Sequence, residues 1–247
     1  MIFLTVVLFF VVAMLYQTAG FGGASSYIAI LVLMAFPNQD IRFIGLVCNI
    51  AVVIGDVVDF SFKGMKSWMD AALILVASIP LAYYGGSVTL SNQEFKIGLG
   101  VLLFLSALLM LIDYHRGSTK TLPKYYLPVF GGILGFISGL LGLSCGIFLA
   151  PILYLSKWKA SGEVIAMGSF FIFVNSIAGL AGSASIGMTN SKWTLAFLVL
   201  AVLIGKFIGS KMELTYWKPQ YIRFASAMFI GFVSLKLLFN QFSNLVH

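Results

Sequence analysis

The sequence predicts an all-α polytopic membrane protein of two inverted repeats, each a broken-helix hairpin of two half-helices followed by three transmembrane helices. Three observations carry this. Of 247 residues, 60% are hydrophobic and 9% charged, whereas a soluble domain carries about a quarter charged residues; the mean hydropathy is +1.03. Two apolar stretches, Ile2–Phe36 and Tyr125–Leu155, are far longer than the about 20 residues a spanning helix needs, and a glycine and serine cluster cuts each in half. The same landmarks then recur, in order, in both halves of the chain.

The apolar runs are continuous rather than alternating, which selects helices over a barrel. Between and after the two long stretches lie six ordinary spans, expected near Ile41–Phe60, Trp68–Leu90, Phe95–Asp113, Ser161–Ser183, Trp193–Leu214 and Tyr221–Asn240. Polar punctuation such as Pro37-Asn38-Gln39-Asp40 and Ser91-Asn92-Gln93-Glu94 separates them. The longest polar link divides the chain into a first repeat over residues 1–113, a cytoplasmic linker over 114–124 and a second repeat over 125–247. Across the halves, Gly20–Ala24 matches Gly142–Gly146, Asn49–Gly55 matches Asn175–Ala181, and Gly86-Ser87 matches Gly209-Ser210.

Lysine and arginine decide how the long stretches meet the membrane. If each crosses once, the basic loops fall evenly on both sides, against the positive-inside tendency. If each dips in and returns, only Arg42, Lys96, Lys192 and Lys236 fall on one face, and the other eleven of the 15 basic residues fall on the opposite face. The hairpin reading follows, with Ile2–Tyr16 descending, Gly20–Ala24 turning and Ser25–Phe36 returning. Three spans per repeat then invert the second half, an architecture common among secondary transporters. Both termini are expected outside the cytoplasm of a cell (inner) membrane, and the first segment, lacking a basic leader region, is expected to be retained.

The hairpin tips carry the candidate chemistry. Each returning arm starts at its tip, so its N-terminus offers unpaired N–H groups and a partial positive charge to an anion near the membrane centre. Glycine lets the backbone approach a ligand closely. The candidate substrate-binding residues at the tips are Gln17, Gly22, Gly23, Ala24, Ser25, Ser26, Ser144, Cys145 and Gly146. Asn49 and Asn175, at equivalent places in the next helices, can turn an amide toward the same cavity or bond a neighbouring helix. Lys206 either attracts an anion or snorkels to the cytoplasmic face. Asp56 and Asp59 either carry a coupling proton or are solvated near the interface. Isolated spacings such as Gly131–Gly135 read as helix-packing positions.

Other chemistry is not supported. Cys48 and Cys145 show no disulfide or metal-ligand spacing, and His115 and His247 leave the core without a histidine for catalysis. No metal or cofactor is expected, nor an enzyme, because no nucleophile–base constellation is present. The formal charge of +7 comes from residues scattered between apolar segments, which is a topology signal and not a nucleic-acid patch. The expected partners are a small anionic substrate and the lipid bilayer; a homodimer is compatible with the sequence.

The chain resembles the TauE/SafE family of sulfite and organosulfonate exporters, also called the toluene-sulfonate uptake permease family. The resemblance rests on Gln17-Thr-Ala-Gly-Phe-Gly-Gly in the first half, and on Gly139-Leu-Leu-Gly-Leu-Ser-Cys-Gly-Ile-Phe-Leu-Ala-Pro151 followed by Asn175 in the second. Ser144 and Cys145 stand where the family usually has glycines, and Ala29 stands where the first half would have the proline. The resemblance implies transport of sulfite, sulfoacetate or a related sulfur-containing anion. Residues alone reach an anion-compatible transporter, with an anion channel, or uptake of a different oxyanion or carboxylate, as the alternatives.

Overall fold

The computed structural model describes residues 2–19, 24–63, 68–111, 123–143, 145–155, 161–184, 192–211 and 219–246. Among these residues every regular element is helical. Ten α-helices follow one another: α1 (Ile2–Ala19), α2 (Ala24–Leu33), α3 (Asn38–Lys63), α4 (Trp68–Ser87), α5 (Asn92–Leu111), α6 (Leu127–Leu141), α7 (Gly146–Leu155), α8 (Ser161–Gly182), α9 (Lys192–Lys211) and α10 (Pro219–Val246). A single 3-10 turn, Lys124–Tyr126, leads into α6. Both long apolar stretches are indeed broken, between α1 and α2 and between α6 and α7. Among the described residues, four stretches are long and apolar enough to cross a membrane: Asn38–Val58, Asn92–Leu111, Lys192–Lys211 and Phe224–Gln241.

The helices start earlier than the polar punctuation suggests. Asn38–Asp40 form the first turn of α3, and Asn92–Glu94 that of α5. Polar side chains are favoured there because the first N–H groups of a helix lack partners. Ser91 and Glu94 show this directly: the Glu94 N–H donates to Ser91 Oγ at 3.2 Å, and the Ser91 N–H donates to Glu94 Oε2 at 2.9 Å. This reciprocal capping box fixes the start of α5. Asn38 Nδ2 donates to Asn92 Oδ1 at 3.0 Å, tying the starts of α3 and α5 together. At the end of α2, Phe36 N–H donates to Leu31 O and Ala35 N–H to Val32 O. This C-terminal cap places Ala35 in the left-handed region at φ 53°.

Packing follows small residues. α4 lies along α6, α1 along α9, α5 along α10 and α3 along α8. On α6, Gly131, Gly135 and Gly139 recur every fourth residue, and a Cβ on each would strike the carbonyl of Ile74, Ser78 and Ala82 on α4. The packing expectation for Gly131–Gly135 therefore holds. Gly205 on α9 brings the Phe10 carbonyl of α1 to 2.5 Å from where a Cβ would sit. Close backbone approach of this kind is how apolar helices associate when lipid removes the hydrophobic drive.

The helices sort into a core and a surround. Residues 25–31 of α2 are all buried, and Tyr27 packs against Phe9 of α1 with ring centroids 4.8 Å apart. By contrast α4, α9 and α10 expose large apolar side chains such as Val76, Trp193 and Phe239. A helix buried on every side occupies an interior. The exposed apolar faces suit a lipid surround.

Candidate functional site

The second break ends α6 and opens α7. Gly142 closes α6 in the left-handed conformation, φ 70° and ψ 13°, with its N–H donating to Ser138 O. Three residues on, the Cys145 carbonyl accepts from the N–H groups of Phe148 at 3.1 Å and Leu149 at 3.2 Å, so Cys145 caps the start of α7. Ser144, between them, lies outside the described residues. Glycine is required at 142 twice over. Its φ disfavours any side chain, and a Cβ would lie 2.5 Å from the Arg42 carbonyl oxygen.

One face of α3 receives this break. A Cβ on Gly45 would lie 2.8 Å from the Gly142 carbonyl oxygen, and Asn49 Nδ2 reaches that oxygen at 3.5 Å. Arg42, Gly45 and Asn49 are spaced by three and four residues, which stacks them along one helix face. Asn49 is 1% exposed, and its Oδ1 has no hydrogen-bond partner among the described residues. Asn175 on α8 is equally buried, but its Nδ2 donates to Phe171 O of its own helix at 2.8 Å. Its Oδ1 also lacks a partner among the described residues.

Arg42 is a residue whose role charge counting alone does not reveal. The sequence assigns it to one membrane face; the structure buries it, 6% exposed. Nε donates to Gly139 O at 2.9 Å, Nη1 to Val88 O at 3.0 Å, and Nη2 to Gly85 O at 2.8 Å and to Gly86 O. Gly139 lies in the last turn of α6 and Gly85 and Gly86 in that of α4, with Val88 just past its end, where helix carbonyls lack intrahelical partners and the dipole is negative. A cation therefore joins two helix C-termini to the N-terminal part of α3. The available signal was the spacing Arg42, Asn49, Asp56: seven residues apart, all three lie on one stripe of α3 with a rise of about 10 Å between neighbours.

At the far end of that stripe, Asp56 and Lys206 meet. Lys206 Nζ on α9 lies 2.8 Å from Asp56 Oδ1, with the two side chains 14% and 29% exposed. Nζ also donates to Val52 O. On its other side Asp56 Oδ2 accepts from Ser169 Oγ of α8 at 3.5 Å. The expected alternatives treated the two charges separately, whereas the structure pairs them. A part-buried lysine on α9 and a carboxylate on α3 each offset part of the cost of burying the other.

The remaining candidates divide. Gly22 and Gly23, at the first break, lie outside the described residues, and so does the side chain of Asp59. Gln17 falls in the last turn of α1 and Ala24 opens α2. Ser25 and Ser26 are buried in the first turn of α2. Gly146 opens α7. Cys145 is 1% exposed within an apolar cluster that includes Leu149, Met167 and Phe171, and both cysteines are free thiols. No cluster of metal-ligating side chains is present among the described residues.

The chain is 29% identical to the probable membrane transporter protein y4hK of Sinorhizobium fredii over 236 residues, covering 93% of this chain and 95% of that protein. It is 21% identical to the probable membrane transporter protein MJ0441 of Methanocaldococcus jannaschii over 185 residues, covering 70% of this chain and 68% of the other. No solved structure matches it. The family profile described as sulfite exporter TauE/SafE matches residues 5–237, nearly the whole length, and the chain belongs to that family.

Proposed function

We propose that this membrane protein is a secondary transporter of a small, sulfur-containing anion such as sulfite, sulfoacetate or another organosulfonate. Substrate binds near the membrane midplane between the two helix breaks, and the halves rock to expose the site alternately to either side. One observation carries the reading: the break that opens α7 sits on Asn49, a buried amide with hydrogen-bonding capacity left over. Leaving a buried polar group unsatisfied costs about 1–3 kcal/mol. A hydrated or singly protonated oxyanion has both a donor for Asn49 Oδ1 and acceptors for the N–H groups at the start of α7. The family description supports the sulfur-containing class.

In this reading Gly22, Gly23, Ala24, Ser25 and Ser26, with Gln17, form the counterpart half-site, and Asn175 matches Asn49. Ser144, Cys145 and Gly146 line the second tip. Asp56 and Asp59 are the candidates for carrying a coupling proton. The inverted-repeat arrangement is supported by the packing: exchanging α1–α5 with α6–α10 turns the α4–α6 contact into α9–α1, and maps α3–α8 and α5–α10 onto themselves. Both termini then lie outside the cytoplasm.

Flux into proteoliposomes tests the proposal with sulfite, thiosulfate, sulfoacetate and simple carboxylates as substrates. Saturable uptake with counterflow of a sulfur-containing anion is the expected result. Large unitary currents without counterflow mean a channel, and flux of carboxylates alone removes the substrate class.

A further inference from the structure

Away from the break, a cavity of about 570 Å³ opens at the end of the bundle where α2 finishes and α3 and α5 begin. The last turns of α10 complete its wall. Its charge is one-sided. Among the described residues, the charged side chains lining it are Lys96 of α5 and Lys236 of α10, joined by five side-chain amides, among them Asn38, Asn92 and Asn240. The acids beside these residues in the chain do not line it: Glu94 closes its capping box with Ser91, and Asp40 is wholly buried in the first turn of α3. The starts of α3 and α5, pinned together through Asn38 and Asn92, add the positive ends of two long helices to the same wall.

Beneath this basic and amide rim the lining turns apolar, with Phe36, Leu99 and Leu237. All three belong to the main hydrophobic core. The volume falls within the roughly 300–1,000 Å³ of sites that enclose organic ligands, whereas a bare oxyanion occupies the space of a few waters at about 30 Å³ each. Rim and floor together fit a molecule with an anionic head and an apolar stem.

We propose that this cavity is a binding site for an amphiphilic anion, with Lys96 and Lys236 holding a phosphate- or sulfonate-type head and Phe36, Leu99 and Leu237 taking the apolar portion. Two sources share that chemistry: the headgroup of an anionic lipid, and a soluble organic sulfonate. The site is separate from the Asn49 break, and its test reads binding rather than flux, so it stands or falls independently of the transport reading.

The test uses purified full-length protein in neutral detergent, titrated with dioctanoyl phosphatidylglycerol, dioctanoyl phosphatidylcholine, hexanesulfonate and inorganic sulfate. Binding is read by thermal shift, on the wild type and on the Lys96→Gln/Lys236→Gln double variant. The expected result is saturable stabilisation by phosphatidylglycerol, by hexanesulfonate or by both, weakened at least about tenfold in apparent Kd by the double variant. Lys96→Arg/Lys236→Arg should restore it. The arm that responds identifies the source. Equal binding of phosphatidylcholine and phosphatidylglycerol with no response to hexanesulfonate overturns the proposal. Sulfate binding as tightly as hexanesulfonate also overturns it, as does a double variant that binds like wild type. A double variant whose ligand-free melting temperature stays within a few degrees of wild type shows that a lost response is not lost folding.

Discussion

Lys206 of α9 and Asp56 of α3 form an ion pair across the two halves of the chain, Nζ to Oδ1 at 2.8 Å. Both side chains are mostly but not fully buried, so the pair sits between a surface bridge worth about 0–1 kcal/mol and a buried one whose rupture costs about 3–5 kcal/mol. Lys206→Met and Asp56→Asn should each destabilise by about 2 kcal/mol, because each leaves one charge without its partner. The double variant should lose less than the sum. A double-mutant cycle on melting temperature checks this, and strict additivity means that the two charges are not coupled.

Gly142 and Gly146 flank the same break but should respond differently to an added methyl. Gly142→Ala forces a side chain into the left-handed region, at about 1–2 kcal/mol, and drives it against the Arg42 backbone. Overpacking adds about 1–3 kcal/mol. Gly146→Ala meets the Cδ1 atom of Ile172 at 2.6 Å, the free end of a side chain that can rotate away. The expected loss is about 3 kcal/mol for Gly142→Ala and below about 1 kcal/mol for Gly146→Ala, read from thermal unfolding in detergent. Equal losses mean that the Gly142 conformation is not what sets the break.

Arg42→Lys should fail to conserve function of the residue. A guanidinium presents five N–H donors in a fixed fork, and here they satisfy carbonyls of Gly139, Val88, Gly85 and Gly86 on two different helices. A lysine ammonium has three donors radiating from one point and leaves at least one buried carbonyl unpaired, at about 1–3 kcal/mol. Arg42→Met leaves all four and should cost more. If Arg42→Lys melts with the wild type, the fork is not what holds α4 and α6 to α3.

How much of this was readable in the sequence depends on whether the information is local. The two breaks were legible because about 20 residues is a firm length for a spanning helix, and a glycine cluster inside a 30-residue apolar run has few other uses. The packing role of Gly131 and Gly135 was legible for a similar reason, their spacing by one helical turn. The Lys206–Asp56 pair was not, since the partners stand 150 residues apart and no local pattern joins them. The burial of Arg42 was not legible, because counting charges assigns an arginine beside a polar turn to a membrane face and says nothing of its depth. Its burial follows from the convergence of the α4 and α6 C-termini, which exists only in the folded chain. Similarly, Asn38–Asp40 and Asn92–Glu94 looked like loops and proved to be helix starts, because capping uses the same residue types as turns.

Asn49 offers the sharpest separation of function from stability. Its Nδ2 makes one contact to Gly142 O, at 3.5 Å, and its Oδ1 has no partner among the described residues, so the amide contributes little to holding the fold. Asn49→Leu removes the unsatisfied Oδ1, whose burial is costly, and gives up only the long 3.5 Å contact to the Gly142 carbonyl. Asn49→Leu should therefore keep the melting temperature within a few degrees of wild type or raise it. The same change removes a donor and an acceptor from the proposed site, so saturable flux of a sulfur-containing anion should fall at least about tenfold. Residues that trade stability for activity behave in this way. A variant that melts normally and transports normally shows that Asn49 does not touch the substrate. One that loses stability and flux together shows that the amide is structural, and the site must then be sought elsewhere along the stripe from Arg42 to Asp56.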